Sequence, residues 1–178
     1  MLLLINWREN MKKTKRIALI GMLIALAFVL SYVEAMIPIS LGVPGVKIGL
    51  ANLVVIVAIY TLGNKEAFIL SMIRIVLVAF TFGSFASMMY SLAGGMLSFL
   101  VMILFKKLNI FSMRGVSVLG GISHNIGQIG VAILIVENGK LIFYLPVLLI
   151  SGVLSGIVIG VVAAIITKRV GVAYRSQE

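Results

Sequence analysis

The sequence predicts an all-α polytopic membrane protein, a bundle of six transmembrane helices with both termini in the cytoplasm. Three observations predict it. The 178 residues are 62 % hydrophobic and 11 % charged, with a mean hydropathy of +1.23, more apolar material than a soluble domain of this size can bury. The apolar residues fall into six runs, and a bilayer core of ~30 Å takes roughly 20 helical residues to cross. The basic residues alternate in density between the two ends of these runs. None of the runs shows the period-2 alternation of a transmembrane barrel strand, so the spans are helical.

The runs cover residues 17–37, 46–62, 67–82, 85–105, 116–136 and 141–167. The second and third are short, and the sixth is long enough to tilt or to extend beyond the bilayer. Pro38 and Pro44 bracket the first connection, and Gly63-Asn64 marks a tight turn. Twelve of the fifteen Lys and Arg lie on one side: Arg8, Lys12, Lys13, Lys15 and Arg16 before the first run, Lys65 in the second connection, Lys106, Lys107 and Arg114 in the fourth, and Lys168, Arg169 and Arg175 after the last. Lys47 and Lys140 lie on the other side, and Arg74 is inside a span. The positive-inside rule places the richer side, and both termini, in the cytoplasm of a bacterial plasma membrane protein. The expected organisation is a basic arm (1–16), a six-helix membrane domain (17–167) and a cytoplasmic tail (168–178). The first run follows KKTKR but lacks a small-x-small cleavage site, so a retained signal-anchor helix is expected, with Met11 a candidate natural start.

Absences narrow the chemistry. The chain has no Cys, and its acidic residues are Glu9, Glu34, Glu66, Glu137 and Glu178, with no Asp. Thiolate metal sites, iron–sulfur clusters and Asp-rich magnesium sites therefore cannot be built from this chain. No GxxxxGK[ST] loop is present to hydrolyse ATP. The formal charge of +10 sits in short clusters between apolar runs, the pattern of cytoplasmic loops rather than of a nucleic-acid surface. The sequence calls for no metal, no cofactor and no catalytic group, and for the lipid bilayer and a small molecule as partners.

Helices in lipid associate through close packing of small residues. Gly152, Gly156, Gly160 and Ala164 recur every four residues in the sixth run, widened by Ser151 and Ser155; Ala18, Gly21 and Ala25 form a shorter stripe on the first. Each stripe is either internal packing or a docking face. Polar groups at bilayer depth are costly and usually face a cavity or the bundle interior. Here they are Glu34 near the end of the first run, Lys47 and Asn52 at the start of the second, Arg74 in the third, and His124, Asn125 and Gln128 in the fifth. His124 and Gln128 share a helix face, with Gly120 and Gly127 leaving room beside it. Four helices thus bring polar groups to one level, which predicts an outward-facing pocket for a ligand with an apolar body and one anionic group. Arg74 is the natural anion clamp. Three bland alternatives stand beside this one: Arg74 pairs with Glu34, His124 is a satisfied core residue, and Lys47 snorkels to the interface.

The stretch VPGVKIGLANLVVI (43–56), the Arg-bearing third run and SHNIGQ (123–128) resemble the Gx transporter family, formerly labelled heptaprenyl diphosphate synthase component I, over about residues 11–170. That family is similar to the substrate-binding S components of energy-coupling factor (ECF) transporters. The resemblance implies a six-helix S-component-like bundle without its own ATPase. It implies an AxxxA-type docking motif on the first helix for an ECF-type transmembrane coupling subunit and its ATPases, a place taken here by Ala18, Gly21 and Ala25, with Gly for one Ala. The implied ligand is an isoprenoid or quinone precursor or a vitamin-like molecule. The older label implies instead an accessory membrane component in prenyl diphosphate or quinone synthesis, and the small-residue faces leave a third reading, a structural partner in a redox complex.

Overall fold

The computed structural model describes residues 13–36 and 49–175, with side chains from 16–36 and 49–169. Met11, Pro38, Pro44, Gly45 and Lys47, most of the basic arm and the end of the tail lie outside the described residues. The described chain is helical, without a strand: α1 (Lys13–Met36), α2 (Leu50–Thr61), α3 (Asn64–Thr81), α4 (Phe85–Leu108), α5 (Met113–Val136), a 3-10 segment (Gly139–Tyr144) and α6 (Leu145–Arg175).

Local chemistry sets these boundaries. Gly49 at φ 77° precedes α2 and Gly63 at φ 114° separates α2 from α3; both backbone angles favour glycine. α4 begins with a reciprocal cap, in which the Ser84 hydroxyl accepts from Ser87 N–H (3.1 Å) and the Ser87 hydroxyl accepts from Ser84 N–H (2.9 Å). It ends at Asn109 in the left-handed conformation, with Lys106 and Lys107 in its last turn, where the helix dipole favours positive charge. α5 ends the same way at Glu137 (φ 52°). Pro146 falls in the first turn of α6, where a missing N–H costs nothing.

Among the described residues four segments are long and apolar enough to cross a membrane: Arg16–Met36, Phe85–Leu108, Met113–Val136 and Gly139–Arg169. The outer surface suits lipid, since Phe80, Leu134 and Phe143 are 84 %, 75 % and 78 % exposed, an arrangement expensive in water. The protein is therefore a multi-pass helical membrane protein. The other two expected spans differ from these four. Helix α2 has 12 residues and rises only about 18 Å at 1.5 Å per residue. α3 has 18 residues and carries Lys65, Glu66 and Arg74. Helix α2 tolerates its shortness because it is the centre of the fold, with Val54 through Ile59 all buried. Ala27 of α1, Leu70 of α3, and Ile159 and Ala163 of α6 share its core.

The α5–α6 interface is a glycine seam. A Cβ placed on Gly152 would lie 2.8 Å from the Gly121 carbonyl oxygen, one on Gly156 would lie 2.6 Å from Val118 Cα, and one on Gly160 would lie 2.9 Å from Arg114 Cα. The stripe of α6 is thus spent on α5, inside the chain. The stripe of α1 is not: Ala18, Gly21 and Ala25 are exposed, and among the described residues nothing lies within 4 Å of a Cβ on Gly21. Charge pins the end of the bundle where α2 turns into α3. Arg16 pairs with Glu66. Lys106 donates to the Ile59 carbonyl in the last turn of α2 (2.5 Å) and lies 4.9 Å from the Tyr60 ring centre.

Candidate functional site

At the opposite end, between α1–α3 on one side and α4–α6 on the other, is a half-open cavity of about 420 Å³. All six of the expected ligand residues that the structure describes line it: Glu34, Asn52, Arg74, His124, Asn125 and Gln128. Lys47, the seventh, lies outside the described residues.

The floor is built by small residues that let helices close in. A Cβ on Gly95 of α4 would lie 3.0 Å from Ile75 Cδ1 of α3, and one on Gly94 would lie 3.1 Å from the His124 ring of α5. The residue beside Ile75 is Arg74, so the arginine enters the cavity at the level of Gly94, Gly95 and His124. The Arg74 side chain is 9 % exposed. Its Nη1 reaches Ser31 Oγ at 3.5 Å, the limit of a hydrogen bond, and Ser31 already donates to the Ala27 carbonyl (2.9 Å). The Arg74 Nε is buried with no partner among the described residues. A guanidinium has five donors and needs acceptors for them when buried.

Glu34 does not supply those acceptors. Its carboxylate accepts the Gly49 N–H at 2.5 Å and so caps the start of α2. Among the described residues no Arg74–carboxylate pair comes within 4.0 Å. Asn125 is also partly committed: its Nδ2 donates to the Leu148 carbonyl at 2.5 Å and ties α5 to α6. Among the described residues the side-chain amides of Asn52 and Gln128 have no hydrogen-bond partner, although Gln128 is 9 % exposed. His124 lies against α4, and among the described residues no group of three His, Cys, Asp or Glu is placed to hold a metal ion.

The sequence left several walls unnamed. Ser31, Phe82, Ser84, Ser87, Met88 and Ser155 line the cavity as well. Ser31 is three residues before Glu34 and therefore shares its helix face, a signal present in the sequence. Ser155 belongs to the small-residue stripe of α6 and reaches the cavity from its edge. Chemically the arrangement can hold an anion or a hydrogen-bonding group: one buried cation short of acceptors and two amides unpaired among the described residues, beside apolar walls from Ile75, Val78 and Phe82.

These features define a class, a multi-pass helical membrane protein with a half-open polar cavity between its two helical halves. The chain belongs to the heptaprenyl diphosphate synthase component I family, whose model matches residues 23–166. No curated protein and no solved structure matches it.

Proposed function

We propose that the protein is the substrate-capture subunit of a membrane transporter, similar to an S component, binding a small amphipathic anion from outside the cell. The reading takes α2 and α3 as spans too, six in all with both termini in the cytoplasm of a bacterium, as the distribution of Lys and Arg favours; the cavity mouth would then open at the outer surface. The observation that carries the reading is the buried Arg74 guanidinium: among the described residues its Nε has no partner and its Nη1 has only a 3.5 Å contact. A carboxylate or phosphate would satisfy it bidentately, while Asn52 and Gln128 offer directional hydrogen bonds. The exposed Ala18–Gly21–Ala25 face leaves α1 available to an ECF-type coupling subunit and its ATPases, which would supply the energy this chain has no P-loop to obtain.

The family's name supports a second reading, a membrane accessory to heptaprenyl diphosphate or quinone synthesis. With no Asp in the chain, that role would be non-catalytic. A seven-isoprene chain is also far longer than a 420 Å³ cavity can enclose, so only a short precursor fits inside.

Native mass spectrometry of the purified protein tests the capture reading. A co-purifying small anion is expected on the native chain and is expected to be lost in Arg74→Ala with the fold retained. No bound molecule, together with unchanged cellular uptake in Arg74→Ala and His124→Ala, defeats the proposal. Prenyl transfer by the purified chain alone would establish an enzyme instead.

A further inference from the structure

Two unlike charges face the same cavity without meeting. Arg74 reaches α1 at Ser31, whose Oγ is 3.5 Å from its Nη1. Glu34 lies three residues further along α1, on the same helix face one turn on, a rise of about 4.5 Å. Both side chains line the cavity, and among the described residues no other Lys, Arg, Asp or Glu does. The two charges interact through space, yet they form no ion pair among the described residues. The Gly49 N–H holds the carboxylate, through Oε1.

Each charge is left short of partners of the opposite kind. Among the described residues the Arg74 Nε has none, and the Glu34 Oε2 accepts no hydrogen bond. A ligand with an anion alone gains from Arg74 and is repelled by Glu34 from a similar distance, and partial burial strengthens both effects. A ligand that also carries an ammonium group removes the conflict. Its anion lies on the guanidinium, its ammonium on the free carboxylate oxygen, and the four charges alternate in sign.

We infer that the captured molecule is a zwitterion, an acid bearing an ammonium group about one helix turn from its anion, with Arg74 taking the anion and Glu34 the ammonium. The inference rests on the capture reading and adds a second charge to the ligand. The anion is a carboxylate or a phosphate monoester, which share the two-oxygen face that a guanidinium fork matches. An ammonium has three donors, and the amide oxygens of Asn52 and Gln128 in the same cavity are neutral acceptors for those that Glu34 leaves over.

The absence of native cysteine permits a direct test. Ser91 of α4 lines the cavity, and its side chain has no hydrogen bond among the described residues, so Ser91→Cys gives a single reporter thiol. The full chain carrying it is reconstituted in nanodiscs of uncharged lipid. Its modification by methyl methanethiosulfonate, an uncharged thiol reagent, is timed by intact mass. Straight-chain carboxylates, the ω-amino acids of equal length and the matching alkylamines compete for the site, with alkyl phosphates and aminoalkyl phosphates as a parallel pair. The zwitterions are expected to protect at concentrations about tenfold or more below those of the plain acids, the worth of one hydrogen bond to a charged group. Whichever zwitterion series protects names the anionic group. Protection is expected to peak at one spacing of the two charges, since both poles are fixed on the protein.

Two variants assign the poles. Glu34→Gln keeps an acceptor for the Gly49 N–H and removes the charge. It is expected to abolish the advantage of the zwitterions and to improve the plain acids, whereas a carboxylate that only caps α2 would move both series alike. Arg74→Met is expected to abolish protection by the plain acids and to spare the alkylamines. If the plain acids match the zwitterions at every length, or Glu34→Gln leaves the ratio between the two series unchanged, capture by Arg74 stands and the zwitterion is overturned. If no acid of any series protects and Arg74→Met changes nothing, the anion-capture reading falls as well.

Discussion

Replacing Arg74 with methionine should make the ligand-free protein more stable, and this sign is the sharpest consequence of the site. Methionine replaces the apolar stem of the arginine and ends where Nε begins, so the packing of the stem is kept and the guanidinium is lost. What the substitution removes is a guanidinium that, among the described residues, has one contact at 3.5 Å and an unpartnered Nε. The contact is worth at most about 1 kcal/mol, while a buried donor without a partner costs about 1–3 kcal/mol. Charge burial adds to the cost of the native residue, and apolar replacements of buried ionic groups stabilise by up to about 4 kcal/mol elsewhere. A net gain of about 1–3 kcal/mol is expected for the ligand-free Met variant. Equilibrium unfolding by sodium dodecyl sulfate in mixed micelles, on protein stripped of ligand, reads this difference. Adding a short-chain carboxylate should then close that gap or reverse the order. The native chain gains about 2.7 kcal/mol at a hundredfold excess over its dissociation constant, and the variant gains nothing. If ligand-free Arg74→Met instead loses 1 kcal/mol or more, the arginine is holding the bundle together and the receptor argument is refuted.

The glycine seam gives a paired prediction. Gly156→Ala brings a methyl to 2.6 Å from Val118 Cα and should cost about 1–3 kcal/mol as overpacking, whereas Gly130→Ala meets nothing within 4 Å and should gain up to about 1 kcal/mol of helix propensity; the same unfolding assay compares them. Glu34→Ala removes the acceptor from the Gly49 N–H at the start of α2 and should cost about 0.5–2 kcal/mol, as loss of a helix cap does. Glu34→Gln keeps an acceptor oxygen and should recover most of that loss, an outcome that separates capping from ion pairing.

The helices were legible because lipid imposes one rule, that backbone groups pair within the segment, and apolar run length follows from it. Where the rule weakens, the sequence says less. α2 is enclosed by other helices, so its length is set by packing, and the run at 46–62 is helical only over Leu50–Thr61 in the described part. The convergence of Asn52, Arg74, His124 and Gln128 was legible, since polar groups in lipid must go somewhere sheltered. The partner of Arg74 was not. Composition leaves Glu34 as the obvious carboxylate, but the Gly49 N–H claims it, a competition visible only when α1 and α2 are placed in space. For the same reason the small-residue stripes of α1 and α6 read alike, though one is buried against α5 and the other exposed. Phe82 carried no signal as a cavity wall, because its position depends on the turn that follows it.

The central place of α2 has a consequence for biogenesis. Its buried face is covered in part by Ile159 and Ala163 of α6, about a hundred residues later in the chain. Helices α1 and α4 can leave the translocon singly on their own hydropathy, but the 12-residue α2, with the charged start of α3 directly behind it, must wait for company. Synthesis therefore has to reach the last helix before the first half can close around its core. Until then the nascent chain holds an unfinished centre, the stage at which a membrane chaperone or a quality-control protease has most to grip.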